Sequence, residues 1–111
     1  MENEYPKLVR DKILEIIKER EGFEPSHRIL ENDTEFLNAL LKKATEEAAE
    51  LQHSLEKNNV EEEIADLFEV VDAILMLRGK SMEDIKKIQK EKREKRGGFE
   101  KRILMDEPKK S

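Results

Sequence analysis

From Leu37 to Leu75 the apolar residues return every three or four positions, and that spacing constrains the fold more than any other feature of the chain. Leu37, Leu41, Ala44, Ala48, Leu51 and Leu55 form one series, and Ile64, Leu67, Phe68, Val71, Ile74 and Leu75 form a second. Each residue turns an α-helix by about 100°, so each series falls on one face. The first alternates by four and three, the pattern of a packing seam. Asn58-Asn59 interrupts the periodicity. Two amphipathic helices separated by so short a break pack back on one another as a hairpin.

The flanks add two shorter helices. Val9, Ile13, Ile16 and Ile17 share a face, which predicts a helix from about Val9 to Glu21, with Gly22 placed to stop it. Residues 22–32, with Pro25 and Ser26, read as a connection in which His27 to Leu30 forms a short extended stretch. Capping-box spacings occur at Asn32 with Glu35, at Asn59 with Glu62 and at Ser81 with Asp84. The last opens a helix that runs to about Arg96 on a thin stripe of Met82, Ile85 and Ile88, and Gly97-Gly98 ends it. Arg-Ile-Leu occurs at 28–30 and again at 102–104. Residues near 27–31 and 99–105 are therefore expected to pair as two short strands. The expected architecture is an all-α bundle of about four helices, a single domain over residues 1–111, with that small two-stranded β addition. Glu107 to Ser111 reads as a frayed tail.

Composition narrows the function. Charged residues make up 44% of the chain and aromatic residues 5%, which would suit disorder if the apolar residues lacked a helical period. With no Cys there is neither a disulfide framework nor thiolate chemistry. No apolar run is long enough to span a bilayer and no signal-peptide pattern is present, so the expected location is cytoplasmic. No P-loop occurs, and two His with few Ser or Thr give little material for a nucleophilic triad. The net charge of −5 hides a segregation. Residues 46–72 carry ten acids against Lys57, whereas residues 80–102 carry ten bases against five acids. Such a chain can hold cations at its middle and anions at its end.

The acids have an order. Glu47 and Glu50 stand three apart and share a helix face beside the Leu37–Leu55 seam. Glu63 and Asp66 repeat that spacing beside the second apolar series. In a hairpin both pairs lie at similar distances from the Asn58-Asn59 turn, so four carboxylates converge along one edge of the interface. Converging carboxylates repel one another and lose solvation, and they need a cation. An oxygen-only ligand set suits Mg²⁺, held by carboxylates, waters and a substrate phosphate.

Glu46-Glu47-Ala48-Ala49-Glu50, a twelve-residue gap and Glu63-Ile64-Ala65-Asp66 resemble the EExxE…ExxD signature of the all-α nucleotide pyrophosphohydrolases, the superfamily of MazG, the dimeric dUTPases and phosphoribosyl-ATP pyrophosphohydrolase. The opening Lys7-Leu8-Val9-Arg10-Asp11-Lys12-Ile13 and the closing Lys92-Arg93-Glu94-Lys95-Arg96-Gly97-Gly98-Phe99 resemble a subgroup of short MazG-like proteins. The resemblance runs from about Tyr5 to Leu104. It implies Mg²⁺-dependent hydrolysis of a nucleoside triphosphate to monophosphate and pyrophosphate, of the house-cleaning type that removes non-standard nucleotides. Phosphoribosyl-ATP hydrolysis in histidine biosynthesis is the alternative. It also implies that Glu47, Glu50, Glu63 and Asp66 hold Mg²⁺, for which Mn²⁺ can substitute, and that Glu46 supports them or orients water. The resemblance further implies a homo-oligomer, dimer or tetramer, and the thin apolar stripe of the last helix agrees with a core completed by association.

Lys92, Arg93 and Arg96 lie at a helix end, where bases are common simply because they complement the helix dipole. The resemblance assigns them to substrate phosphates, with one subunit's basic tail reaching the other's carboxylates. Arg10 and Lys12 match the opening motif, and a structural role is expected for them. Two other readings compete. Glu50-Leu51-Gln52-His53 is the E-x-x-H half-motif of di-iron bundles, but Pro25 spoils the only second copy, Glu24 to His27. A charged helical interaction module that binds nucleic acid through its basic tail is the non-enzymatic alternative. One aromatic and interleaved acids argue against it, and it leaves the ordered carboxylates without a role.

Overall fold

A computed structural model describes residues 5–109. Lys110 and Ser111, the end of the expected frayed tail, lie outside the described residues. The elements are α1 (Ile13–Glu21), α2 (Asp33–Gln52), α3 (Ser54–Lys57), α4 (Val60–Leu77) and α5 (Met82–Arg96). The fold is all-α, as its periodicity predicts. The chain forms two compact units, Met1–Gly79 and Lys80–Ser111.

In the first unit α2 and α4 pack against one another, and α3 lies in the connection and touches both. With only residues 53–59 between them, the two long helices must run in opposite directions. Asn32 caps α2 by accepting the backbone N–H of Glu35 at 2.9 Å. The reciprocal half of that capping box is absent, because the Glu35 carboxylate pairs with Arg28. Helix α2 does not continue to Leu55 as its seam suggests. It stops at His53, and the chain makes the single turn of α3 before Asn58 closes it with a left-handed φ of 56°. Ser54 at this joint is 1% exposed, and its hydroxyl donates to the Leu51 carbonyl at 2.7 Å.

The contact face of each long helix differs from the predicted one. Leu41, Leu55 and Phe68 are 49%, 82% and 57% exposed, and Ala48 and Ile64 also face outward. The buried and half-buried positions centre on Leu40, Lys43, Glu47 and Glu50 on α2 and on Glu63, Leu67, Val70 and Ile74 on α4, and they keep Leu37, Ala44, Leu51, Val71 and Leu75 of the predicted series at their edge. At about 100° per residue, both helices are turned by roughly a quarter of a revolution from their most apolar stripes. Leu40, Val70 and Leu75 are the fully buried apolar side chains among the described residues.

Three further expectations are corrected. Helix α1 begins at Ile13, four residues later than Val9, and Lys12 at its N-cap makes no side-chain capping bond. Asn59 and Glu62 form no capping box; the Asn59 amide donates instead to the Glu63 carboxylate at 3.1 Å. No strand forms among the described residues, and neither 27–31 nor 99–105 is extended into a ladder. The Arg102 N–H bonds back to the Phe99 carbonyl at 3.0 Å with φ 55° at Arg102, a tight turn that no extended run can contain. Upstream, His27 bonds the Pro25 carbonyl and Arg28 pairs with Glu35, so local contacts claim that segment too.

In the second unit, α5 opens on a complete capping box between Ser81 and Asp84. Gly97 ends it with φ 80°, donating its N–H to the Arg93 carbonyl at 2.7 Å.

Candidate metal centre

The quarter-turn decides what the helix interface contains. It brings Glu47 of α2 to face Glu63 and Asp66 of α4, with one oxygen of each within 4.8 Å of the others. Opposite ligands of a Mg²⁺ ion with bonds of about 2.1 Å stand about 4.2 Å apart. Small side-chain rotations would therefore fit the three oxygens to one hard cation, and the donor set contains nothing but carboxylate oxygen. Glu63 is only 9% exposed, and the Glu47 side chain is buried nearly as far.

These acids sit in the packing face, where the sequence pattern puts them beside it. The electrostatic consequence is clearest at Glu47, whose carboxyl is pushed above its ordinary value of 4.5. Burial is the largest cause, and the neighbouring Asp66, Glu63 and Glu50 charges add to it, with Lys43 opposing. Lys43, one turn earlier on α2, lies 3.7 Å from Glu47 and 3.5 Å from Glu46. Asn59 steadies Glu63 from the N-terminus of α4. Arg10, in the irregular stretch before α1, donates from Nη2 to Asp66 Oδ1 at 2.7 Å.

Of the four expected ligands, three converge. Glu50 lies one turn beyond Glu47 outside the convergent group, close enough to act on Glu47 by charge. Glu46 is half-buried beside Lys43 and not among the three. His53 lies past the end of α2 and is exposed, so Glu50 and His53 do not share a regular helical turn.

Lys92, Arg93 and Arg96 are exposed along the last turn and a half of α5. Arg93 is paired with Glu100 at 2.5 Å. That pair lies tightly over Gly98, where an added Cβ would collide with the Arg93 guanidinium. The glycine there makes room for a side chain and not for a turn.

Arg10, Lys43 and Asn59 have contacts in the centre that sequence reasoning missed. Lys43 had a signal, the i, i+4 spacing to Glu47. The sequence around Asn59 signals only a cap, and Arg10 carries no local signal because its partner is 56 positions away. A shallow depression lined by Asp33, Thr34, Leu37, Leu77 and Arg78 lies at the far end of the α2–α4 pair and includes none of Glu47, Glu63 and Asp66. No helix among the described residues is long and apolar enough to cross a membrane. No family model, curated protein or solved structure matches the chain.

Proposed function

We propose that the chain is a Mg²⁺-dependent nucleotide pyrophosphohydrolase that cleaves a nucleoside triphosphate, of a non-standard type, into the monophosphate and pyrophosphate. The observation that carries this reading is the meeting of Glu47, Glu63 and Asp66 inside a helix interface. Lys43 and Arg10 offset part of this like charge, and the three carboxylate oxygens together remain a donor set suited to a hard divalent cation. The EExxE…ExxD spacing of Glu46, Glu47, Glu50, Glu63 and Asp66 supports the same reading.

Glu47, Glu63 and Asp66 would hold the ion, with Glu50 as the fourth candidate ligand. Mg²⁺, or Mn²⁺ in its place, would neutralise phosphate oxygens there and lower the pKa of a bound water. Glu46, adjacent to the ligands and restrained by Lys43, is suited to orient or deprotonate the attacking water, as is Glu50. Lys92, Arg93 and Arg96 supply the charge that a departing pyrophosphate needs. Self-association as a dimer or tetramer belongs to this reading, supported by the outward stripe of Leu41, Leu55, Ile64 and Phe68.

The test is pyrophosphate release from dUTP, dCTP, ITP, triphosphates with oxidised or methylated bases and phosphoribosyl-ATP, with Mg²⁺ and with a chelator. Equal pyrophosphate and monophosphate, abolished by the chelator, is the expected result. Preference for phosphoribosyl-ATP would move the enzyme to histidine biosynthesis. The Glu63→Gln variant should fold and lose about a hundredfold or more of the rate. Full activity in a folded Glu63→Gln protein, or no release from any substrate by the wild type, would overturn the reading. The second outcome would favour a charged helical interaction module.

A further inference from the structure

The contact between Arg10 and Asp66 joins two parts of the chain that are otherwise unlike. Asp66 belongs to a packed helix. Arg10 belongs to an irregular segment leading into α1, a helix with no buried residue. Their side chains are 57% and 43% exposed, and among the described residues one nitrogen of the guanidinium makes the bond. An exposed pair of this kind is weak. Lys43, which compensates the other side of the cluster, is anchored on α2 within a turn of both its partners. Of Lys43 and Arg10, Arg10 is therefore the one that can leave.

A divalent ion competes for the same Asp66 oxygen with twice the charge. Once displaced, the guanidinium stays tethered beside the ion with its five planar donors available, a geometry that matches phosphate oxygens. We propose that Arg10 is an exchangeable counter-ion of the carboxylate centre, holding Asp66 until a divalent cation takes that carboxylate and then binding an oxygen of the cation-bound phosphate. This rests on the pyrophosphohydrolase reading and assigns Arg10 to the substrate side of it.

The two halves of the exchange have opposite signs, and calorimetry reads both. MnCl₂ is titrated into wild type, Arg10→Gln, Arg10→Lys and Glu63→Gln proteins, each checked for helicity. Inorganic pyrophosphate is then titrated into each protein saturated with Mn²⁺. Arg10→Gln should bind Mn²⁺ about two- to fivefold more tightly, the range for loss of an exposed ion pair, and bind pyrophosphate about tenfold more weakly. Arg10→Lys should lie between Arg10→Gln and wild type in both titrations. A merely structural arginine would weaken both ligands and lower the melting temperature. Wild-type Mn²⁺ binding that Glu63→Gln abolishes but Arg10→Gln leaves unchanged or weakens would overturn the exchange and leave the metal centre standing. Failure of the wild type to bind Mn²⁺ would overturn both.

Discussion

Glu47 concentrates the conflict in this molecule, since the fold buries it among its own kind. Its carboxyl titrates above the usual glutamate value, chiefly through burial. The sign follows from linkage: a raised acid is harder to ionise in the folded chain than in the unfolded one, so its ionisation costs stability above the raised pKa and costs nothing below the ordinary value. The Glu47→Gln protein, free of metal, should therefore melt at a higher temperature than wild type at neutral pH. The gap should close as pH falls through the acid range, where Glu47 protonates in both states. A calorimetric scan at several pH values checks this, and an unchanged gap at acid pH would remove Glu47 as its source. On the proposed reading Mg²⁺ would reverse the balance, because only the ionised carboxylate is a ligand. Added Mg²⁺ should raise the wild-type melting temperature at neutral pH and progressively fail to do so as the solution is acidified.

At the scale of elements, end signals are local and were legible: Ser81 with Asp84 caps α5, Asn32 caps α2 and Gly22 closes α1. Replacing Ser81 by Ala should cost α5 about 1 kcal/mol. Hydrogen exchange should then show faster exchange in the first turn of α5 and unchanged protection in α2 and α4. The choice of packing face was not legible. Periodicity points to the most apolar stripe, and a helix with Leu41 and Ala48 on one side and Leu40 and Leu51 on another offers two. A single chain can turn only one of them against its neighbour. Spacing alone points to Glu47, Glu63 and Asp66, which meet, and equally to Glu50, which stays outside their group; it does not give their depth, because depth depends on that choice. Contacts distant in sequence, such as Arg10 with Asp66, leave no periodic trace at all. The strand pairing failed for the opposite reason: a repeated triplet gave a pattern without the hydrogen bonds or the burial that make strands.

For the whole molecule, the unused stripes set the expected solution behaviour. Leu41 and Ala48 on α2, and Ile64 and Phe68 on α4, give the helix pair a second apolar side, with Leu55 of α3 exposed at its end. Sedimentation equilibrium should show an oligomer, and a Phe68→Asp, Leu55→Asp double variant should be smaller while retaining its helicity. A monomeric wild type at high concentration would end that expectation.

The interleaving of Glu63 and Asp66 with Leu67 and Val70 on one buried face has a consequence for how such a gene can change length. Deleting one residue between Asp66 and Val70 would swing the acids by about 100° relative to the core that seats the helix. The helix would survive, its apolar residues would still find α2, and the carboxylates would point elsewhere. Residues 23–31, between the Gly22 and Asn32 caps and exposed apart from Pro25 and Leu30, carry no such phase and can gain or lose a position more freely. Insertions and deletions compatible with a working centre should therefore gather in that connection, and a deletion library scored for Mn²⁺ retention would show a silent gap from Glu47 to Val70 interrupted only at the joint around α3.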